Sequence, residues 1–266
     1  MKARFIVTVI ICILLLPASV IANETSPVDR LDQLSDEALQ MVKLHRYEDA
    51  KRLLDYFSEQ FVSVTGKERS FTADELRILT ISHDEAVQAA ANATMNHEEK
   101  INRVTKFRLV MDAITSPYQP LWTEMESPIM TVFAEVKEAV YAGDKKQFHT
   151  NLNSFLSLYD MIYPSIKINV DKERIQRLDA KINFIDKYRP QVLTETASQM
   201  ELEALEADLQ LLFDEMTEDE ADPSLWWVII STGSIIILTL SYVGWRKYKG
   251  DQEKEKEKSL SRRQKD

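Results

Sequence analysis

Residues 225–245 (LWWVIISTGSIIILTLSYVGW) carry no charge over 21 positions, and this run constrains the rest of the chain. As a helix rising ~1.5 Å per residue it measures about 31 Å, close to the hydrocarbon thickness of a bilayer. Trp226, Trp227 and Trp245 stand at its ends, where amphipathic rings favour the membrane interface. Before it, residues 214–222 hold six acidic residues and no Lys or Arg; after it come Arg246, Lys247 and Lys249. A buried core helix is the alternative reading, but a run of this length flanked by charge points to a span. By the positive-inside rule, the chain before Leu225 is expected outside the membrane and residues 246–266 in the cytoplasm.

The N-terminus fits that topology. Lys2 and Arg4 precede an apolar stretch of 12 residues, 5–16, which Pro17 breaks. Val20 and Ala22 supply small residues for cleavage ahead of Asn23. An uncleaved anchor would give a second span, but 12 residues are short for one. The expected partition is therefore a signal peptide (1–22), an extracytoplasmic domain (23–224), a transmembrane helix (225–245) and a short basic tail (246–266).

Charge and cysteine usage narrow the function classes. Residues 23–224 contain 22 basic and 38 acidic residues, a net charge of −16. Such a surface repels nucleic acid, so no nucleic-acid partner is expected. The tail has nine basic and five acidic residues, among them the alternating EKEKEK of 253–258, which reads as a solvated segment. The sole cysteine, Cys12, falls in the signal segment. The mature domain then has neither a disulfide nor a thiol nucleophile, and packing alone must hold it.

Only Gly66 and Gly143 interrupt residues 23–224, and prolines fall between apolar-periodic segments. That punctuation predicts an all-α fold of about eight helices arranged as hairpins. The first helix is expected over 27–44 and the second from Tyr47, along the stripe Tyr47, Ala50, Leu54, Phe57, Phe61, Val64, with Gly66 as its stop. Thr72 and Glu75 form a capping box for a third helix to about Met95; Asn96 opens a fourth that ends before Pro117. Residues 118–122 read as a proline-bounded aromatic loop. Ser127-Pro128 starts a fifth helix, Pro164 stops a sixth, and a seventh ends near Pro190. The eighth carries the seam Leu202, Leu205, Leu209, Leu212, Met216.

A shift of 98 residues aligns two of these hairpins. It pairs Leu31 with Ile129, Leu34 with Val132, Ala38 with Val136, Val42 with Val140 and His45 with Gly143. It continues through Leu54 with Leu152, Phe57 with Phe155, Phe61 with Tyr159 and Val64 with Ile162. The segment from His45 to Ala50 also resembles the turn of a tetratricopeptide repeat. Two amphipathic hairpins with similar turns align this way without common origin, and two copies are fewer than a solenoid needs.

No motif for chemistry stands out. His45, His83, His97 and His149 have no metal-ligand spacing, and His83 shares a face with Leu76, Leu79, Ala86 and Ala90, as a core-edge histidine does. There is no glycine-rich phosphate loop, GxSxG elbow or SxxK, and carboxylates are too abundant to single out a pair. No catalytic residue, cofactor or metal is expected. The best binding candidates are Tyr118 and Trp122, because aromatics on an inter-helix loop can anchor a partner. Against that stands the plainer reading that Trp122 fills the core.

The signal segment, the LHRYEDAKRLLDYF hairpin, the AGDKKQFHTNLNSFLSLYDMIYPS segment and the single C-terminal span together resemble the YpjB family of sporulation proteins over essentially the whole chain. The resemblance implies a membrane location and a part in sporulation, and it carries no reaction or catalytic residue. The expected function is a non-enzymatic, single-pass membrane protein whose helical domain binds a protein or envelope partner. An extracytoplasmic sensor relaying to a cytoplasmic partner, or a wall-active hydrolase, are the alternatives. A broad groove between helices favours the first, a deep pocket the others.

Overall fold

The computed structural model describes residues 26–65, 71–116, 118–218 and 223–263. Among these the chain is all-α, with ten α-helices, one 3-10 helix and no strand. The helices are α1 Pro27–Lys43, α2 Tyr47–Thr65, α3 Ala73–Ala91, α4 His97–Thr115, the 3-10 helix Leu121–Met125, α5 Glu126–Tyr141, α6 Lys145–Asn169, α7 Lys172–Lys187, α8 Arg189–Thr194, α9 Thr196–Glu218 and α10 Pro223–Arg263. The signal segment, Gly66 and residues 219–222 fall outside the described residues. The described residues through Phe213 form one compact unit, and those from Asp214 a second. In the second, α10 includes Ile229–Gly250, 22 residues long and apolar enough to cross a membrane.

Helix starts follow local chemistry. Ser26 with Asp29 and Thr72 with Glu75 make reciprocal capping boxes, and the side chains of Asn96 and Asp144 accept from the N–H groups of Glu99 and Gln147. Each cap satisfies a backbone donor that the first turn leaves unpaired.

The 98-residue correspondence extends to the turn geometry. His45 and Gly143 both adopt left-handed backbone, φ 61° and 69°. Around them the hydrogen bonds repeat: His45 N–H to the Val42 carbonyl (2.9 Å) matches Gly143 to Val140 (3.0 Å), and Arg46 to Met41 (2.8 Å) matches Asp144 to Ala139 (2.9 Å). Burial repeats too. Leu31 and Ile129, Ala38 and Val136, Leu54 and Leu152, and Phe57 and Phe155 are all buried pairs. The correspondence then runs beyond the hairpins. Val104, Phe107, Met111 and Ile114 of α4 match Leu202, Leu205, Leu209 and Leu212 of α9, all buried. With one extra residue in the shift, Leu79, His83 and Ala86 of α3 match Leu178, Ile182 and Ile185 of α7. The compact unit is thus two tandem four-helix halves, α1–α4 and α5–α9, with α8 a short insertion. The clamps between first and fourth helices have opposite polarity. Arg108 of α4 forks onto Asp32 of α1 (2.7 and 3.2 Å), whereas Lys137 of α5 reaches Glu206 and Glu203 of α9 (2.6 and 2.9 Å).

Three boundaries differ from the sequence expectation. α3 ends at Ala91, not near Met95, because the Asn92 side chain accepts from the N–H groups of Thr94 (2.9 Å) and Met95 (3.2 Å) and turns the chain. α5 starts at Glu126, continuing directly from the 3-10 helix, so Ser127-Pro128 does not initiate it and part of the expected aromatic loop is helical. α7 ends at Lys187, near Pro190 as expected, and Pro190 itself sits in the first turn of the short α8, where its missing N–H costs nothing.

The largest departure is α6, which passes through Pro164 and ends at Asn169. An interior proline costs roughly 3 kcal/mol or more, since it has no N–H for the Asp160 carbonyl and crowds it. Packing of the extra turn offsets that cost. Ser165 and Ile166 are fully buried. Asn169 donates to the Ala113 carbonyl of α4 (3.0 Å) and accepts from the indole N–H of Trp122 (3.1 Å).

Candidate functional site

The two halves meet where α4 packs on α6. α4 is buried on two faces: Val104, Phe107, Val110 and Met111 enter the first half's core, and Leu109 and Ala113 are buried outside that cluster. Beside this contact, an open groove lies between α3 and α6. α6 and its C-cap Val170 contribute residues over 157–170, which at ~1.5 Å per residue is about 20 Å of wall. α3 forms the opposite wall from Glu85 to Asp74, α4 closes one end and α7 the other. Recesses of ≈ 500 Å³ and ≈ 490 Å³ flank a smaller one of ≈ 210 Å³, the waist, with which each shares lining residues.

The waist has Ile78, Ile81 and Pro164 on its walls beside Tyr163, with Arg77, Glu85, Lys106, Asp160 and Lys167 around them. Ile81 is 51% exposed, although it is a large aliphatic residue. At the α4 end Lys106 bridges Asp160 of α6 (2.5 Å) and Glu85 of α3 (3.6 Å), an ion pair across the groove between the halves. At the α7 end Asp179 accepts from the hydroxyls of Tyr163 (2.8 Å) and Tyr159 (3.2 Å). Burial, followed by this carboxylate partner, pushes the Tyr163 hydroxyl up to about 12, so it stays protonated and donating. Lys167 lies over the Tyr163 ring at 5.1 Å.

The two aromatic residues singled out in the sequence have different fates. Tyr118 is exposed. Trp122 is fully buried, with its ring 5.7 Å from that of Phe213 and its N–H on Asn169. It is therefore a core residue at the seam of the halves, the plainer of the two readings that its sequence position allowed. The turn before it is fastened by Asp112, which accepts the Leu121 N–H at 2.6 Å. Burial raises the Asp112 carboxyl above the usual range. Its contribution to stability is therefore greatest in acid and falls as pH rises through the raised value. Asp112→Ala, by orphaning the Leu121 donor, is expected to cost about 1–3 kcal/mol in urea unfolding. Asp112→Asn keeps an acceptor there and is expected to cost under about 1 kcal/mol and to flatten the pH dependence.

The histidines are placed by packing. His83 is buried against Phe57 and Phe107, its Nε2 2.9 Å from the Leu54 carbonyl. His45 stacks on His97 at 3.7 Å, and His97 Nδ1 meets the Tyr47 hydroxyl at 2.9 Å. His149 lies 3.4 Å from the Arg189 guanidinium. Among the described residues no three His, Cys, Asp or Glu side chains are grouped to hold a metal. The groove itself escaped the sequence reading. Its available signals were Ile81, an aliphatic residue off the α3 stripe, and Pro164 within an apolar-periodic run.

Comparison with known proteins bears on the whole chain. The family model of sporulation protein YpjB (SpoYpjB) matches residues 28–257. A Bacillus subtilis (strain 168) protein described as "Uncharacterized protein YpjB" is 36% identical over 260 residues, covering 97% of this chain and 98% of that protein. No solved structure matches. The match spans both four-helix halves and the apolar part of α10, and the chain belongs to the sporulation protein YpjB family.

Proposed function

We propose that this protein is a single-pass membrane component of sporulation whose helical domain, outside the cytoplasmic membrane, binds a protein or envelope partner without performing chemistry. The observation that carries the reading is the groove between α3 and α6, long, open and with an exposed aliphatic waist. It suits an elongated partner better than an enclosed small substrate. Family membership supports the sporulation role, and the apolar part of α10 supports anchoring.

Two experiments test it. Protease added to intact, wall-stripped cells should digest residues 23–224 and spare an epitope fused after Asp266; protection of the helical domain would reverse the orientation. Deleting the gene should lower the yield of heat-resistant spores while vegetative growth continues. The chain carried on an unrelated membrane span should restore spores, and the native chain bearing Ile81→Arg should not. Rescue that demands the native span would favour the sensor reading, and full rescue by Ile81→Arg would remove the groove from the function.

A further inference from the structure

We infer that the groove takes an extended peptide segment of a protein partner, one that carries an aliphatic or aromatic anchor beside Asp or Glu. This rests on the binding reading above and adds the chemistry of the occupant. The wall of about 20 Å matches roughly six residues of extended chain at ~3.4 Å each. The waist at Ile78, Ile81 and Pro164 offers an apolar seat for the anchor. Pro164 also has no N–H to give the Asp160 carbonyl, which leaves that backbone acceptor without its helical partner at a residue lining the groove.

Charge at the α7 end supplies the rest. Its two carboxylates are already engaged, Asp74 with Arg77 (3.2 Å) and Asp179 with the two tyrosine hydroxyls. Lys167 and Lys172 line the same recess, and neither has a carboxylate partner among the described contacts. Both lysines are exposed and unpaired on a domain whose net charge is −16. An acidic side chain bound next to the waist would meet both.

The test is selection from a displayed library of random short peptides on the full-length chain in detergent micelles. Binding of one selected synthetic peptide is then measured at low and high salt. The expected motif is an apolar anchor flanked by Asp or Glu, with affinity that weakens as salt rises. Lys167→Glu with Lys172→Glu, both exposed positions, should keep the helical circular dichroism spectrum, weaken the selected peptide roughly tenfold or more, and shift a fresh selection towards Lys and Arg. Ile81→Arg should abolish selection. Selected peptides without acidic residues, or binding that the charge reversal leaves unchanged, would overturn the inference while leaving the groove's role to the spore-yield test. Peptides selected equally well by the Ile81→Arg chain, or none selected by the native chain, would overturn it as well.

Discussion

Trp122→Ala should lower the unfolding free energy of the full-length chain by about 3–5 kcal/mol, the range for deleting a fully buried large aromatic side chain. The residue is 0% exposed and sits where both halves and the turn joining them converge. Its indole N–H holds Asn169, whose own amide holds the Ala113 carbonyl of α4, so one deletion loosens two links across the seam. Trp122→Phe separates these effects. It keeps most of the volume but drops the N–H donor, and the cost expected is about 1–3 kcal/mol, that of leaving a polar partner unsatisfied. Tyr118→Ala, at the exposed end of the same segment, should stay within about 0.5 kcal/mol of the native chain. Urea unfolding followed by far-ultraviolet circular dichroism checks all three. A loss under about 1 kcal/mol for Trp122→Ala would mean the seam is not where the halves are joined.

What could be read from the sequence was what neighbouring residues decide. The stripe from Tyr47 to Val64, the Thr72–Glu75 capping box and the Asn96 cap depend on contacts within four residues, and each appears in the fold. The stops set by tertiary contacts were not legible. Pro164 carries a strong local signal to end α6, but burial of Ile166 and the Asn169 bridge to α4 and Trp122 override it. Those partners lie 47 and 56 positions away in the chain, beyond any local pattern. The groove is illegible for the same reason, since its walls come from helices of different halves. Even so, Lys106, Glu85 and Asp160 show no pairing signal in the sequence although they form one bridge across it.

Phe57 and Phe155 test how the two halves are coupled. They occupy matching positions in α2 and α6, and they are 2% and 1% exposed. Phe57 packs edge-on to Phe107 at 5.0 Å; Phe155 packs on Phe133 at 4.9 Å. Each change to Ala should cost about 3–5 kcal/mol, because each ring fills the core of its own half. They share no ring partner. The double variant should therefore lose the sum of the two within about 0.5 kcal/mol, provided the halves unfold together. They should do so, because α4 is buried on one side in the first half's core and packs on α6 of the second, so neither half opens without exposing the other's surface. The signature is one urea transition, displaced by either substitution. Two transitions, with Phe57→Ala moving one and Phe155→Ala the other, would show instead that the halves are independent domains. The groove between them would then be a hinge between two bodies, and Lys106 with Asp160 its latch.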